Sequence, residues 1–402
     1  MQMSIFDGSK EFSNTKPIRL IELFAGYGSQ ALALKYLGIQ FEHWRISEWA
    51  IKSIQAYKDL HAHGDTADHS KGITLAEIRK GLYGRISQDY STPLTDEQID
   101  KLSERQARAI YNNMRATNNL GSITQIKAED LAVVDTENYC YIMTYSYPCQ
   151  DCSNAGKGAG MAKGSGTRSA LLWEVERLLN EMAEKPQILL MENVPQVHGE
   201  KNKDDFYAWC NELEEMGYHN YWQDLNSKDF GIPQNRNRCF MISILGDYYF
   251  SFPKKRELTV RLKDFLDKKV DEKYYLSDAT LEMFIEHTKK QQAKGNGFKF
   301  EPTNGGGSVN ALPLAPGAEP MTILLSNQGT VFERETDVSA TICARDYKGF
   351  GNQAMTAVVE NAGGADGVLI GKTPSFQRGP LTDMSRAIMT DGMTGVVEWI
   401  KK

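Results

Sequence analysis

The stretch that most constrains the fold lies near the start of the chain. Ile18-Arg19-Leu20-Ile21-Glu22-Leu23-Phe24 is short and mostly apolar, Ala25-Gly26-Tyr27-Gly28-Ser29 interrupts it, and Gln30-Ala31-Leu32-Ala33-Leu34-Lys35-Tyr36-Leu37 continues with helix-forming residues. That order predicts strand, glycine turn, helix. A second strand candidate, Phe41 to Ile46, runs into Ser47-Glu48-Trp49, so an acid stands 20 residues beyond Gly28. This spacing suits an α/β unit that holds a nucleoside, because the glycines admit close backbone approach and an acid at the second strand end accepts hydrogen bonds from ribose hydroxyls. Trp49 offers a face for an adenine. Each part also has a plainer reading: glycine turns after strands are common, and Glu48 with Trp49 also describes a solvated acid beside a half-buried ring.

From about Asp59 to Asn119 the chain turns polar, and Thr95-Asp96-Glu97-Gln98 reads as a capping box opening a charged helix, so residues 60–118 are expected to form a helical insertion. Strand-like runs resume at Tyr139–Tyr145, Gln187–Met191 and Arg238–Leu245, with helical stretches at Ser169–Ala183 and Asp204–Met216 between them. Alternation of this kind argues for a parallel-rich α/β sheet. Beyond Asp247 a basic stretch leads into a glycine-rich region, and Thr336-Asp337-Val338-Ser339 with Met355 to Glu360 is echoed by Thr382-Asp383-Met384-Ser385 with Met393 to Glu398. The echo reads as a duplicated β-rich element. The expected organisation is a polar leader over 1–17, a main α/β domain over 18–246 and a second, smaller region over 247–402.

Apolar residues make up 41% of the 402 and charged residues 24%, which describes a globular chain and excludes a disordered one. Lysine and arginine total 46 against 52 acids, a net charge of −6, so any nucleic-acid surface must be local. No run of about 18 apolar residues occurs, and Met1-Gln2-Met3-Ser4-Ile5-Phe6-Asp7 lacks the order of a signal peptide. A cytoplasmic protein is expected, with no membrane partner. The six cysteines form no spaced framework and are expected to stay free.

Cys149 follows Tyr145-Ser146-Tyr147-Pro148, just past a strand, at the sheet edge where ligands bind in open parallel sheets. A free cysteine there is either a buried hydrophobe or a nucleophile. Cys149-Gln150-Asp151-Cys152 has the spacing of a redox pair or half a zinc site, but there is no second CxxC and no His-x-x-x-His, and no metal is expected. His61 and His63 fall in the polar insertion and read as solvated. Met191-Glu192-Asn193-Val194 closes another strand, and Gly231-Ile232-Pro233-Gln234-Asn235-Arg236-Asn237-Arg238 precedes the next. A glutamate at a strand end, two arginines and a cysteine after proline, all at one sheet edge, are hard to explain by packing.

Taken in order, Leu23 to Gly28, Ser47-Glu48-Trp49, Pro148-Cys149-Gln150, Glu192-Asn193-Val194 and Gln234 to Arg238 resemble the motifs of the DNA cytosine-5 methyltransferase family, over about residues 18–245. The resemblance implies a Rossmann-like methyltransferase domain, S-adenosylmethionine as methyl donor, and double-stranded DNA, near the nucleoid, as partner. It implies Cys149 as nucleophile at cytosine C6. Glu192 would be a protonated carboxyl near N3, which asks for a raised pKa in a buried site. Arg238 would contact the cytosine O2, and Arg236 would anchor the catalytic loop and the phosphate backbone. The donor would lie across Phe24, Ala25, Gly26, Tyr27, Gly28 and Ser29, with Glu48 on the ribose, Trp49 on the adenine, and Ser122, Ile123 and Pro148 completing the pocket. The base would be flipped out of the duplex. A glycine-rich loop from Asp151 to Thr167 would close behind it, and Gln150, Ser153, Lys157, Lys163, Arg168, Gln234 and Arg236 would meet DNA.

Two departures stand out. Leu120-Gly121-Ser122-Ile123 replaces the family's Gly-Asp-Ile, leaving Ser122 a weaker contact with the adenine amine, or leaving that amine to water. After Asp247 neither the Arg-Leu-x-Gly-Phe nor the Gly-Asn-Ser/Ala-Val segment of the family is found, although Gly351-Asn352-Gln353-Ala354 superficially resembles the latter. The recognition region therefore reads as partial, with a second polypeptide expected to supply the missing motifs. The same motifs also fit a DNA-binding homologue impaired in catalysis, or a transfer-RNA cytosine-5 methyltransferase.

Overall fold

The computed structural model describes residues 10–148, 161–166, 169–261, 264, 278–293, 358–362 and 365–369. Cys149, Gln150, Ser153, Lys157 and Arg168, the CxxC spacing, most of the glycine-rich loop and most of the repeated β-rich element lie outside the described residues.

The chain divides into two compact units. The first, which includes the described residues up to Asp224 and again 239–252, is built on a six-stranded sheet. Its strands in chain order are β2 (Ile18–Leu23), β3 (Phe41–Ser47), β4 (Cys140–Tyr145), β5 (Ile188–Asn193), β6 (Tyr218–Asn226) and β7 (Asn237–Leu245), and a separate two-residue β1 (Lys10–Glu11) pairs in parallel with β8 (Tyr248–Tyr249). Sheet order is β3-β2-β4-β5-β7-β6. The contacts β2 to β3, β2 to β4 and β4 to β5 are parallel, while β7 runs antiparallel to β5 with Glu192 opposite Phe240 and Asn193 opposite Cys239. A Rossmann-like α/β sheet is what the sequence pattern predicts. The reversed β7 is not visible there, because a strand's direction is settled by its pairing.

Between strands lie α1 (Ser29–Tyr36), α2 (Ile51–His61), α3 (Leu75–Leu82), α4 (Asp96–Asp100), α5 (Glu104–Ala116), α6 (Ala128–Leu131), α7 (Leu172–Glu181) and α8 (Lys203–Glu215). Three successive helices of the insertion, α3 to α5, begin with reciprocal capping boxes, Thr74/Glu77, Thr95/Gln98 and Ser103/Gln106, each pairing the N-cap side chain with the third helical residue. Ile78, Leu82, Ile86, Ile99, Ala107, Ile110 and Met114 of the insertion form a separate buried cluster with Ile54 of α2. The larger core gathers Ile21, Leu23, Met143, Tyr145, Leu178, Leu189, Trp209 and Met241 from strands and helices, with the Trp209 indole N–H donating to the Tyr145 hydroxyl at 3.1 Å.

The first strand of the sheet sits between β3 and β4, so the chain leaves it on one side and returns on the other. At such a switch point the carboxyl ends of neighbouring strands diverge and leave a crevice. The segments that emerge there are Phe24–Gly28 after β2 and Ser146–Pro148 after β4.

The second unit includes residues 225–238 and those after Phe252. Its first segment is a loop closed on itself: Ser227 N–H donates to the Arg236 carbonyl at 3.0 Å, Asn226 Nδ2 to Asn235 Oδ1 at 2.7 Å, and Gly231 takes φ +87°. Asp229 holds it to the following segment through Lys255 at 2.7 Å and the Arg256 N–H at 2.7 Å. Beyond lie a helix absent from the sequence reading, α9 (Asp278–Ala293), and an antiparallel pair, β9 (Val358–Ala362) with β10 (Ala365–Leu369), registered Val359 to Val368.

Candidate active site

The turn after β2 is built from left-handed backbone. Phe24, Gly26 and Gly28 have φ of +56°, +56° and +80°, a conformation that glycine adopts freely and that costs a side-chain-bearing residue such as Phe24 of order 1 kcal/mol. Buried side chains hold it there. Glu48, 7% exposed, accepts the Gly26 N–H on Oε2 at 2.8 Å and the Ala50 N–H on Oε1 at 2.7 Å. Burial pushes its carboxyl up to about 7, against the lowering effect of these hydrogen bonds. Each carboxyl oxygen has a second lone pair, so the group can still accept from a ligand's hydroxyls. Around Gly26 a Cβ would meet nothing within 4 Å, Tyr27 is 51% exposed and Trp49 is half-buried. A buried carboxylate, a bare backbone turn and an indole form a donor set that fits a nucleoside with a free ribose.

Gly28 begins α1 as an N-cap without a side chain, and Glu22 of β2 replaces the missing cap, accepting the Ala31 N–H at 3.2 Å. Its other oxygen accepts from the Tyr57 hydroxyl at 2.6 Å, and burial raises its pKa to about 7. Asn119 ties the third segment in. Its side-chain oxygen accepts the Glu48 N–H at 3.1 Å and the Gly121 N–H at 2.9 Å, and its amide donates to the Glu48 carbonyl at 3.0 Å. Ser122 and Ile123 are buried beside it, and the Ser122 hydroxyl bonds Thr124 Oγ1 at 3.0 Å, so its reach toward an adenine amine is shared.

The ends of β4 and β5 are fastened to each other. Asn193 Nδ2 donates to the Tyr147 carbonyl at 3.1 Å, and Ser169 Oγ to the Pro148 carbonyl at 2.9 Å. Gln30 of α1 donates to Ser146 Oγ at 3.3 Å, linking this edge to the glycine turn. Glu192 stands half-buried at the end of β5, one residue before Asn193. In the second unit, Arg238 Nη1 donates to the Asn237 carbonyl at 2.8 Å, and Gln234 and Arg236 lie on the closed loop, the Gln234 carbonyl accepting the Arg236 N–H at 3.0 Å.

The sequence profile of the C-5 cytosine-specific DNA methylase family matches residues 94–339. The chain is 40% identical over 265 residues to the type II methyltransferase M2.ScrFI of Lactococcus lactis subsp. cremoris, covering 65% of this chain and 71% of that protein. It is 35% identical over 274 residues to the orphan methyltransferase M.SssI of Spiroplasma monobiae, covering 67% and 70%. A solved structure, the S. pombe Dnmt2 methyltransferase, is similar at TM-score 0.43 and 15% identity over 71% of this chain and 68% of that one. The chain belongs to the C-5 cytosine-specific DNA methylase family. Its activity is that of a DNA cytosine-5 methyltransferase, and the family's methyl donor is S-adenosylmethionine.

Within this methylase, two side chains are placed otherwise than the sequence suggests. His61, expected to be solvated, turns its Nε2 to the Tyr27 carbonyl at 2.8 Å. Lys163, a candidate phosphate contact, bonds the buried Glu176 at 2.6 Å with its ammonium 5.2 Å from the Trp173 ring centroid. Glu22 and Asn119 escaped the sequence reading, which gives His61 no part in the site. Asn119 had one signal, its place directly before Leu120-Gly121-Ser122. Among the described residues, His198, Asp224 and Cys239 bring metal-type donor atoms within 4.8 Å of one another, but His198 already bonds Asp224 at 2.9 Å and packs on Trp222, and burial raises the Cys239 thiol. No helix among the described residues is long and apolar enough to cross a membrane.

Proposed function

We propose that this methylase methylates C5 of a cytosine turned out of double-stranded DNA, with Cys149 as covalent nucleophile. The observation that carries the reading is the Asn193 to Tyr147 bond. It fastens the strand end bearing Glu192 to the segment that leads, two residues on, into Cys149.

S-adenosylmethionine, when bound, supplies an electrophilic methyl group on a sulfonium. Glu48 and the backbone of residues 24–29 would hold its ribose and its flank, Trp49 its adenine, and Ser122, Ile123 and Pro148 the rest. The Cys149 thiolate adds to C6, and the ring electrons move so that C5 becomes nucleophilic. Negative charge then develops toward N3 and O2, where the Glu192 carboxyl offers its proton to N3 and the Arg238 guanidinium, charged at any relevant pH, faces O2. C5 takes the methyl group and S-adenosylhomocysteine leaves; the C5 proton then passes to water, the C5–C6 double bond re-forms as the C6–S bond breaks, the thiolate is returned, and N3 gives its proton back to Glu192. Arg236, with Gln150, Ser153, Lys157, Arg168 and Gln234, is assigned to DNA backbone and loop contacts, and Lys163 would join them only by leaving Glu176.

Incubation of the purified chain with donor and duplex DNA carrying 5-fluorocytosine tests the reading. At a target site the fluorine blocks elimination, so a covalent protein–DNA complex should accumulate and map to Cys149. No complex, or one on another residue, overturns it. Full methylation by the chain alone would remove the need for a second polypeptide, and methylation of transfer RNA with none of DNA would reassign the substrate.

A further inference from the structure

His61 closes α2 and belongs to none of the motifs above, yet its ring reaches the glycine turn. Nε2 faces the Tyr27 carbonyl oxygen at 2.8 Å and Nδ1 faces Lys35 Nζ at 3.2 Å. A carbonyl only accepts and an ammonium only donates. The partners therefore fix the tautomer: Nε2–H donates to Tyr27, and Nδ1 accepts from Lys35. A second ring proton would point at the ammonium, and burial first, then Lys35, hold the imidazole neutral, its pKa lowered to about 4.

The ring's faces are packed as well. The Tyr57 ring centroid lies 4.3 Å away and that of His43 5.0 Å away. Tyr57 in turn donates to Glu22, which caps α1 through Ala31. One connected set of side chains, His61, Lys35, Tyr57 and Glu22, thus grips both the Tyr27 carbonyl and the first turn of α1. The fit is tight at Gly28, where a Cβ would collide with His61 Nε2 and come within 2.7 Å of Tyr57 Cε2.

We propose that His61 is a positioning residue for methyl-donor binding: by holding the Tyr27 carbonyl it keeps the Tyr27–Gly28 peptide in the geometry the donor requires. It sets donor affinity and not the rate of the chemical step. This rests on the reading of residues 24–29 as the donor's turn, which Trp49→Ala tests separately. The measurements are the affinity for S-adenosylhomocysteine by titration calorimetry, and donor KM and kcat for transfer of a tritiated methyl group to unmethylated bacterial DNA.

His61→Phe keeps a ring against Tyr57 but removes the N–H. It should weaken donor affinity about 3- to 10-fold, the worth of one hydrogen bond, with a matching rise in KM and kcat within about two-fold. His61→Gln, whose amide nitrogen can reach the Nε2 position, should recover part of the affinity. Unchanged affinity in His61→Phe alongside weakened affinity in Trp49→Ala overturns the brace and leaves the turn's reading intact. Unchanged affinity in both overturns the reading itself. Equal loss in the Phe and Gln variants, with equally lowered melting temperatures, makes His61 a stability residue and also overturns the brace.

Discussion

The end of β2 and the ends of β4 and β5 are held by different chemistry. At the end of β2 the turn's amides rest on buried carboxylates, Gly26 on Glu48 and Ala31 on Glu22, and both acids have pKa values lifted to about 7 by burial. At the ends of β4 and β5 neutral donors hold backbone carbonyls, Asn193 on Tyr147 and Ser169 on Pro148. Each acid accepts on both of its oxygens, so losing either one frees two hydrogen bonds on the β2 side, whereas Asn193 and Ser169 each hold a single backbone carbonyl. The first region is thus the more firmly fixed, as suits, on the proposed reading, a donor that is the same in every turnover. The second is held by single bonds beside a segment that, on the proposed reading, must admit and release a base.

The sharpest way to break this contrast is Cys149→Ser. On the proposed mechanism it abolishes methyl transfer while leaving S-adenosylhomocysteine affinity within about two-fold of the parent, because the thiol serves only the base side. Calorimetry showing lost donor affinity would mean that the two regions are not separable.

Next in size is Gly28→Ala. The residue sits at φ +80°, and its new Cβ would meet His61 and Tyr57, so left-handed strain of about 1 kcal/mol adds to an overpacking penalty of about 1–3 kcal/mol. Thermal unfolding should fall by several degrees and donor binding with it. A variant of parental stability and affinity would show the turn to be more pliable than its contacts imply.

On the other side, Asn193→Ala leaves the Tyr147 carbonyl without its buried donor, a loss of about 1–3 kcal/mol. Here kcat should fall while donor affinity holds, the reverse of the pattern expected for His61→Phe. A fall in donor affinity with kcat unchanged would erase the division of labour.

How far the sequence reveals these two regions follows from the range of the interactions involved. The strand, turn and helix around Gly28 are legible because an apolar run, two glycines and a helix-forming stretch are all local signals, and the insertion announces a helix by the four-residue capping box Thr95 to Gln98. The edge strand β6 is not, since Tyr218–Asn226 is mostly polar and buries only Tyr218 and Asn220. Within the site, Glu48 and Asn193 stand in recognisable motifs. His61 and Asn119 do not, because each acts on a partner distant in sequence, 34 residues away for Tyr27 and 71 for Glu48. The neighbours of Cys149, the proposed nucleophile, are legible for the opposite reason: a proline, a cysteine and a strand end lie within five residues.

A last test asks whether the acids behind the glycine turn carry the burial argued for them. Glu22 has a pKa raised from 4.5 to about 7, so between those values the folded chain keeps a proton that the unfolded chain has lost. Stability must then fall as pH rises through that window, by about 1 kcal/mol per unit, and level off above it. Glu22→Gln removes the titration, while Glu48, which pulls in the same direction, and His43 and His61, whose lowered pKa values pull in the other, stay in both proteins and drop out of the difference. Urea unfolding from pH 5 to 8 should therefore show the variant gaining on the parent as pH rises to 7 and holding steady beyond. Parallel curves would mean that Glu22 is solvated in solution, and that the β2 turn is held no more firmly than the ends of β4 and β5.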